Sequence, residues 1–234
     1  MAKQDKTDKQ ISLSQLVALR RNEEHESYFV LHKFDDGAWD FDYVVPWTKS
    51  ACNVDAKLMI IGQDWSSEEF LRNQKNNTSD RVALRKQLGQ DPHLPTNKNI
   101  KRWLPFFNTT WEQTYATDVS IFIKPKKMTA RVPMTVLKHC ADKYTLPQLR
   151  IVKPFMAICL GIKTFNSVRR ALGKSPMLLR EALQPNGHTK EHGVEIYGVP
   201  HAGGLGLAAY GGRVGVEPIW LRLADRYRQI LEDS

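Results

Sequence analysis

The chain has 234 residues, 41% of them hydrophobic and 9% aromatic, enough to bury a full core in one large domain. Its 34 Lys and Arg outnumber 25 Asp and Glu for a formal charge of +9, an excess that favours a polyanionic partner, of which nucleic acid is the commonest. Three cysteines without C-x-x-C spacing, Cys52, Cys140 and Cys159, argue against a disulfide framework or a cysteine-held metal, and no apolar run approaches the ~18 residues of a membrane span, so a cytoplasmic protein with no membrane partner is expected.

Residues 1–10 read as a disordered polar lead and residues 11–234 as a single domain. Ser12 or Ser14 is expected to cap a short helix carrying Leu13, Leu16, Val17 and Leu19, which ends in the charged patch Arg20 to Glu26. His25 and His32 have no companion at metal-ligand spacing. The aromatic-rich residues 34–50, including Trp39, Tyr43 and Trp47, lead to the first strand and pack or line a cleft. That strand is Lys57-Leu58-Met59-Ile60-Ile61, apolar except for the leading lysine, too short for a helix and closed by Gly62, after which Gln63 and Asp64 follow at once. A carboxylate just past the carboxyl end of a buried strand stands where open α/β sheets keep their ligands.

Ser66-Ser67 ahead of Glu68 and Glu69 suits a helix amino terminus, and Arg81 to Leu88 reads as a short basic helix. Gln90 to Asn99, with two prolines, is expected to be a loop. Ile100, Trp103, Leu104, Phe107 and Trp111 recur at helical intervals and face a core, with Pro105 starting or kinking part of the segment. The second strand is placed at Asp118 to Ile123, running into the basic loop Lys124-Pro125-Lys126-Lys127. Phe155 to Leu160 is the third strand, Thr164 to Leu172 a helix, Val194 to Val199 the fourth strand, and Val216 to Leu231 a final helix with Ile219, Trp220, Leu223, Tyr227 and Ile230 on one face. Four buried strands separated by helical segments predict an α/β fold, a three-layer α/β/α sandwich with a central four-stranded parallel sheet.

The glycine-rich stretch Ala202 to Gly212 follows the last strand and lacks the lysine and hydroxyl of a P-loop, so a nucleoside-triphosphate hydrolase is set aside. Gly62-Gln63-Asp64 after the first strand, taken with His201-Ala202-Gly203-Gly204-Leu205 after the last, resembles the two signature motifs of the uracil-DNA glycosylase superfamily, a GQDP-type first motif and an HPSPLS-like second one. The likeness spans about residues 57–212, with its specific content in some ten of them.

The resemblance implies a monofunctional DNA glycosylase, a monomer without cofactor, that flips a pyrimidine nucleotide out of the stack and hydrolyses its N-glycosidic bond to leave an abasic site. The transition state puts positive charge on the sugar and negative charge on the leaving base. By similarity, Asp64 orients or deprotonates the water and stabilises the sugar, and His201 donates a hydrogen bond to the departing base. Gly62, Gln63, Trp65, Ser66 and Asp118 then surround the base. Leu205, or its neighbour Leu207, fills the vacated stack, Gly203 and Gly204 let backbone approach phosphates, and Lys124, Lys126, Lys127 and Arg213 are the candidate phosphate contacts. Relatives with an iron-sulfur cluster carry four cysteines, so no cluster and no metal is expected here.

Two departures from the family pattern bear on the base. Asp118 stands where many relatives have an asparagine, and an ionised carboxylate only accepts, which disfavours uracil O4 and suits the exocyclic amine of cytosine. Trp65-Ser66-Ser67 replaces a Pro-Tyr that excludes a C5 methyl group, so small serines leave room there. The expected substrate is a cytosine carrying a C5 modification, which suits defence against phage DNA. Uracil excision in repair, or a non-catalytic DNA-binding role on the same scaffold, are the alternatives.

Overall fold

The computed structural model describes residues 5–73 and 75–233. Helix α1 (Lys6–Arg21) is followed by a two-residue strand β1 (Phe29–Val30), the long strand β2 (Leu58–Asp64) and helices α2 (Glu68–Arg72), α3 (Ser79–Leu88) and α4 (Pro95–Trp103). Strands β3 (Tyr115–Ser120) and β4 (Phe122–Ile123) come next. Helices α5 (Met134–Cys140) and α6 (Leu146–Val152), joined by a π-helical turn at Ala141–Thr145, form the crossover to β5 (Met156–Leu160). Helices α7 (Ile162–Ala171) and α8 (Leu179–Ala182), strands β6 (Thr189–Glu191) and β7 (Val194–Val199), and helices α9 (Gly204–Ala208) and α10 (Gly212–Glu232) complete the chain.

The protein is an α/β protein with a five-stranded, mostly parallel sheet of order β3-β2-β5-β7-β6 and flanking helices. The first four strands run parallel, and β6 joins the edge antiparallel through a tight turn at His192-Gly193. Strands buried on both faces need continuous apolar runs. Leu58 to Ile61 and Met156 to Leu160 supply them, every residue at 1% exposure or less. Glu195 on β7 is the charged exception. It accepts two bonds from Arg226 at 2.7 and 3.0 Å and one from the Tyr197 hydroxyl at 2.6 Å, and Arg226 above all holds its carboxylate far below the usual range. Trp103 of α4 stacks on Trp220 of α10 at 4.8 Å and ties those helices together. Among the described residues no helix is long and apolar enough to cross a membrane.

The chain leaves β2 in one direction to reach β3 and returns on the other side to form β5, so β2 lies beside the point where the connections reverse. The carboxyl ends of the strands around such a point border a crevice, and Asp64 is the last residue of β2.

Several elements differ from the sequence expectation. Residues 1–4 of the expected polar lead lie outside the described residues, and from Lys6 the lead is helical, capped by Asp5. Lys9 is buried there because its ammonium reaches Val54 O at 3.0 Å, Asp55 Oδ1 at 2.9 Å and Val152 O at 3.2 Å. Ser12 and Ser14 do not cap; their hydroxyls donate back to Asp8 O and Gln10 O within the helix. The expected loop from Gln90 to Asn99 turns helical at Pro95, whose fixed φ and missing N–H suit a first helical position. The second strand starts at Tyr115, not Asp118, and Phe122–Ile123 leave the main sheet to pair with Phe29–Val30.

Candidate active site

A cleft of about 430 Å³ opens at the carboxyl ends of β2, β5 and β7. Gly62, Asp118 and Trp47 line its inner part, together with Asp64, Lys124 and His201.

Register explains why Gly62 is a glycine. Gly62 of β2 stands opposite Asp118 of β3, and a Cβ on Gly62 would lie 2.1 Å from Asp118 Oδ1 and 3.1 Å from Trp47 Cζ3. The missing side chain makes room for a carboxyl group between β2 and the edge strand β3. That carboxyl is 3% exposed and its Oδ2 has no hydrogen-bond partner among the described residues. Burial, seconded by the negative charge of Asp64 and opposed by Lys124, raises its pKa well above the usual carboxylate range. Burial thus favours the protonated form of Asp118. That shift runs against the ionised, acceptor-only carboxylate expected from sequence, since a protonated carboxyl with one O–H and one C=O both donates and accepts.

Asp64 is held at both oxygens. Lys124 Nζ lies 2.6 Å from Oδ1, Gln63 Nε2 donates to Oδ2 at 2.7 Å, and the side chains of the ion pair are only 4% and 6% exposed. Lys124 is thus turned inward, a correction to its expected place among surface phosphate contacts. The cause is backbone pairing: Lys124 O accepts from Glu68 N–H at 2.9 Å, Lys124 N–H donates to Ser66 O at 3.4 Å, and the ammonium also donates to Met128 O. The same pairing moves Ser66 and Ser67 away from the role expected for them. Ser67 caps α2 by accepting from Phe70 N–H, and Ser66 Oγ is buried without a partner among the described residues. Trp65 lines the cleft in their place, its Nε1 donating to Gly89 O at 2.8 Å and its ring lying 5.6 Å from that of Trp39.

His201 follows Pro200 at the end of β7, with its ring open to the cleft. Its Nδ1 accepts from Gly203 N–H at 3.0 Å, which puts the proton of the neutral ring on Nε2. Burial lowers its pKa, with Asp64 pulling the other way and Lys124 adding to the decrease, so the imidazole is uncharged at neutral pH. Asn99 Nδ2 donates to Ala202 O at 2.8 Å and pins this turn to α4. Gly206 closes against it so tightly that a Cβ there would lie 2.3 Å from His201 O.

On the rim, Leu205 of α9 is 80% exposed and Leu207 only 8%, so Leu205 alone projects outward. Gly203 and Gly204 line the cleft beside it, while Lys126, Lys127 and Arg213 are exposed. Arg131, in the loop before α5, and Lys163, in the first turn of α7, also line the cleft and were missed from sequence, where an isolated cation carries no signal. Trp47 was legible only as one of several aromatics before β2. Compared with known proteins, the chain matches no family model and no curated protein.

Proposed function

We propose that the protein is a DNA glycosylase of the uracil-DNA glycosylase type, built as a three-layer α/β/α sandwich around the four parallel strands, which flips a pyrimidine nucleotide into the cleft and hydrolyses its N-glycosidic bond. The observation that carries this reading is the convergence, in one cleft, of the Asp64 carboxylate and a neutral His201 with its proton on Nε2. Heterolysis of the bond leaves a cationic sugar and an anionic base. Asp64 meets the first charge and orients the attacking water. His201 donates to the base oxygen as its charge develops, a contact worth ~3 kcal/mol when made mainly in the transition state. An uncharged donor suits this task, since it adds no further cation to oppose Asp64 at the sugar.

Asp118 then reads the edge of the flipped base. As a carboxylic acid it donates O–H to cytosine N3 and accepts from the N4 amine through its carbonyl oxygen. The cleft lies within the ~300–1,000 Å³ of small-molecule sites and extends past a bare pyrimidine, which favours a cytosine with a C5 substituent and, with it, a role against phage DNA. Uracil is the second reading, favoured by the same neutral acid, which can equally accept from N3–H and donate to O4. A panel of duplexes carrying uracil, cytosine and 5-substituted cytosines, assayed for free base, separates them. Release of the modified cytosine is expected; release of uracil alone overturns the choice of base, and release of none overturns the glycosylase reading in favour of a DNA-binding protein.

Leu205 is proposed to enter the duplex and occupy the space of the flipped nucleotide. Lys126, Lys127 and Arg213 contact phosphates. Because Leu205 is exposed, Leu205→Ala is expected to leave thermal stability within about 0.5 kcal/mol. Base release from duplex DNA should fall ~10-fold or more while release from single strands, which need no unstacking, falls much less. An equal loss on both substrates would remove Leu205 from this role.

A further inference from the structure

Hydrolysis alone gives no reason for a lysine at Asp64. A carboxylate that stabilises a cationic sugar works against a cation 2.6 Å away, and burying an ammonium beside it is costly. The anchoring bond to Met128 O could be made by a neutral donor. The position of Lys124 answers a different need. A sugar carbon that Asp64 assists lies ~3–3.5 Å from that carboxylate, which brings it within about 6 Å of Lys124 Nζ, on a side chain with four rotatable bonds.

We propose that Lys124 is a second nucleophile of this cleft, and that the protein also acts as an abasic-site lyase on the product of base release. The proposal rests on the glycosylase reading for the origin of its substrate. Lysine amines attack carbonyl carbons when an adjacent base removes their proton, and Asp64 is that base. The Asp64 carboxylate takes a proton from the Lys124 ammonium, and the freed lone pair forms a bond between Nζ and the aldehyde carbon C1′ of the ring-opened sugar. The carbonyl oxygen becomes a hydroxyl as a second nitrogen proton moves to it. Asp64 returns its proton to that hydroxyl, which leaves as water and gives a protonated imine. Loss of a C2′ proton to Asp64 then forms the C2′–C3′ double bond and expels the 3′ phosphate with the C3′–O electron pair. Water hydrolyses the imine and regenerates the lysine. The strand is cut, and nothing is oxidised or reduced.

The test uses the full chain and a duplex with a preformed abasic site, with and without borohydride, which reduces the imine to a stable amine. Strand cleavage without reductant is expected, together with a covalent protein–DNA complex in its presence. Mass spectrometry of the trapped wild-type protein should place the adduct on the peptide bearing Lys124, and Lys124→Arg, which keeps a cation beside Asp64 but has no primary amine, should abolish it. Absence of an adduct, or an adduct on exposed Lys126 or Lys127, overturns the proposal even if the arginine variant fails to fold. Since the abasic site is preformed, base release measured in parallel reports on the glycosylase reading separately.

Discussion

Asp64→Asn is expected to slow base release by ~10²-fold or more while DNA affinity changes little, because an amide of the same shape keeps the contacts of the ground state and loses the charge that meets the sugar cation. The structure adds a second expectation about folding. Asp64 and Lys124 form a buried pair, and removing one partner leaves the other charge uncompensated, a loss of about 3–5 kcal/mol in comparable buried pairs. A fall in activity could thus follow from either cause, and the two are separable. Thermal unfolding of Asp64→Asn should show the destabilisation directly. The double variant Asp64→Asn with Lys124→Met removes both charges and should recover much of the stability without recovering the rate. A double variant that regains base release along with stability would show that Asp64 serves the fold and not the chemistry.

The features legible in the sequence are those set by local pattern. Leu58 to Ile61 lie in an observed strand because parallel strands buried on both faces need unbroken apolar runs, and Val194 to Val199 do so with Glu195 as the one interruption. Asp64 is legible from its place just past the end of such a run and His201 from the resemblance of the two motifs, and the fold brings these strand ends to one cleft. What was missed depends on contacts between distant residues. Strand β3 begins at Tyr115, ahead of the expected start at Asp118, and Asp118 sits inside it over a glycine 56 residues earlier in sequence, a register partner no local window contains. Lys124 was read with Lys126 and Lys127 as one basic surface run. The backbone pairing with Ser66 and Glu68 that turns it inward is a property of the assembled fold. Strand β6 has only three residues, Thr189-Lys190-Glu191, and an edge strand of polar residues gives no periodicity to detect.

Asp118→Asn is expected to raise stability relative to wild type as pH rises and to remove the decline in base release that accompanies ionisation of Asp118. The sign follows from the direction of the shift. Burial and the Asp64 charge raise the folded pKa of Asp118 above its unfolded value, so the contribution of the protonated form is complete below the unfolded pKa, roughly 4, and is lost as pH rises through the folded one. Wild-type unfolding temperature should therefore decline as pH rises from about 4 toward the folded pKa. An asparagine fills nearly the same space above Gly62 and is uncharged at every pH, so the variant should gain at least ~2–4 °C relative to wild type once that decline is complete, the change that 1 kcal/mol produces in a chain of this length. The same ionisation governs recognition. A carboxylic acid can carry its proton on either oxygen and so match cytosine or uracil without turning, whereas the carboxylate has no proton to donate to either edge. Release of both bases should weaken together in the wild type as pH rises. An amide turned one way by its surroundings matches one edge only, so Asp118→Asn should shift the ratio of cytosine-type to uracil release by ~10-fold or more and hold release of the favoured base at pH values where the wild type has lost it. An unchanged base ratio with the wild-type decline at rising pH intact would mean that Asp118 supports the sheet beside the cleft and does not touch the base.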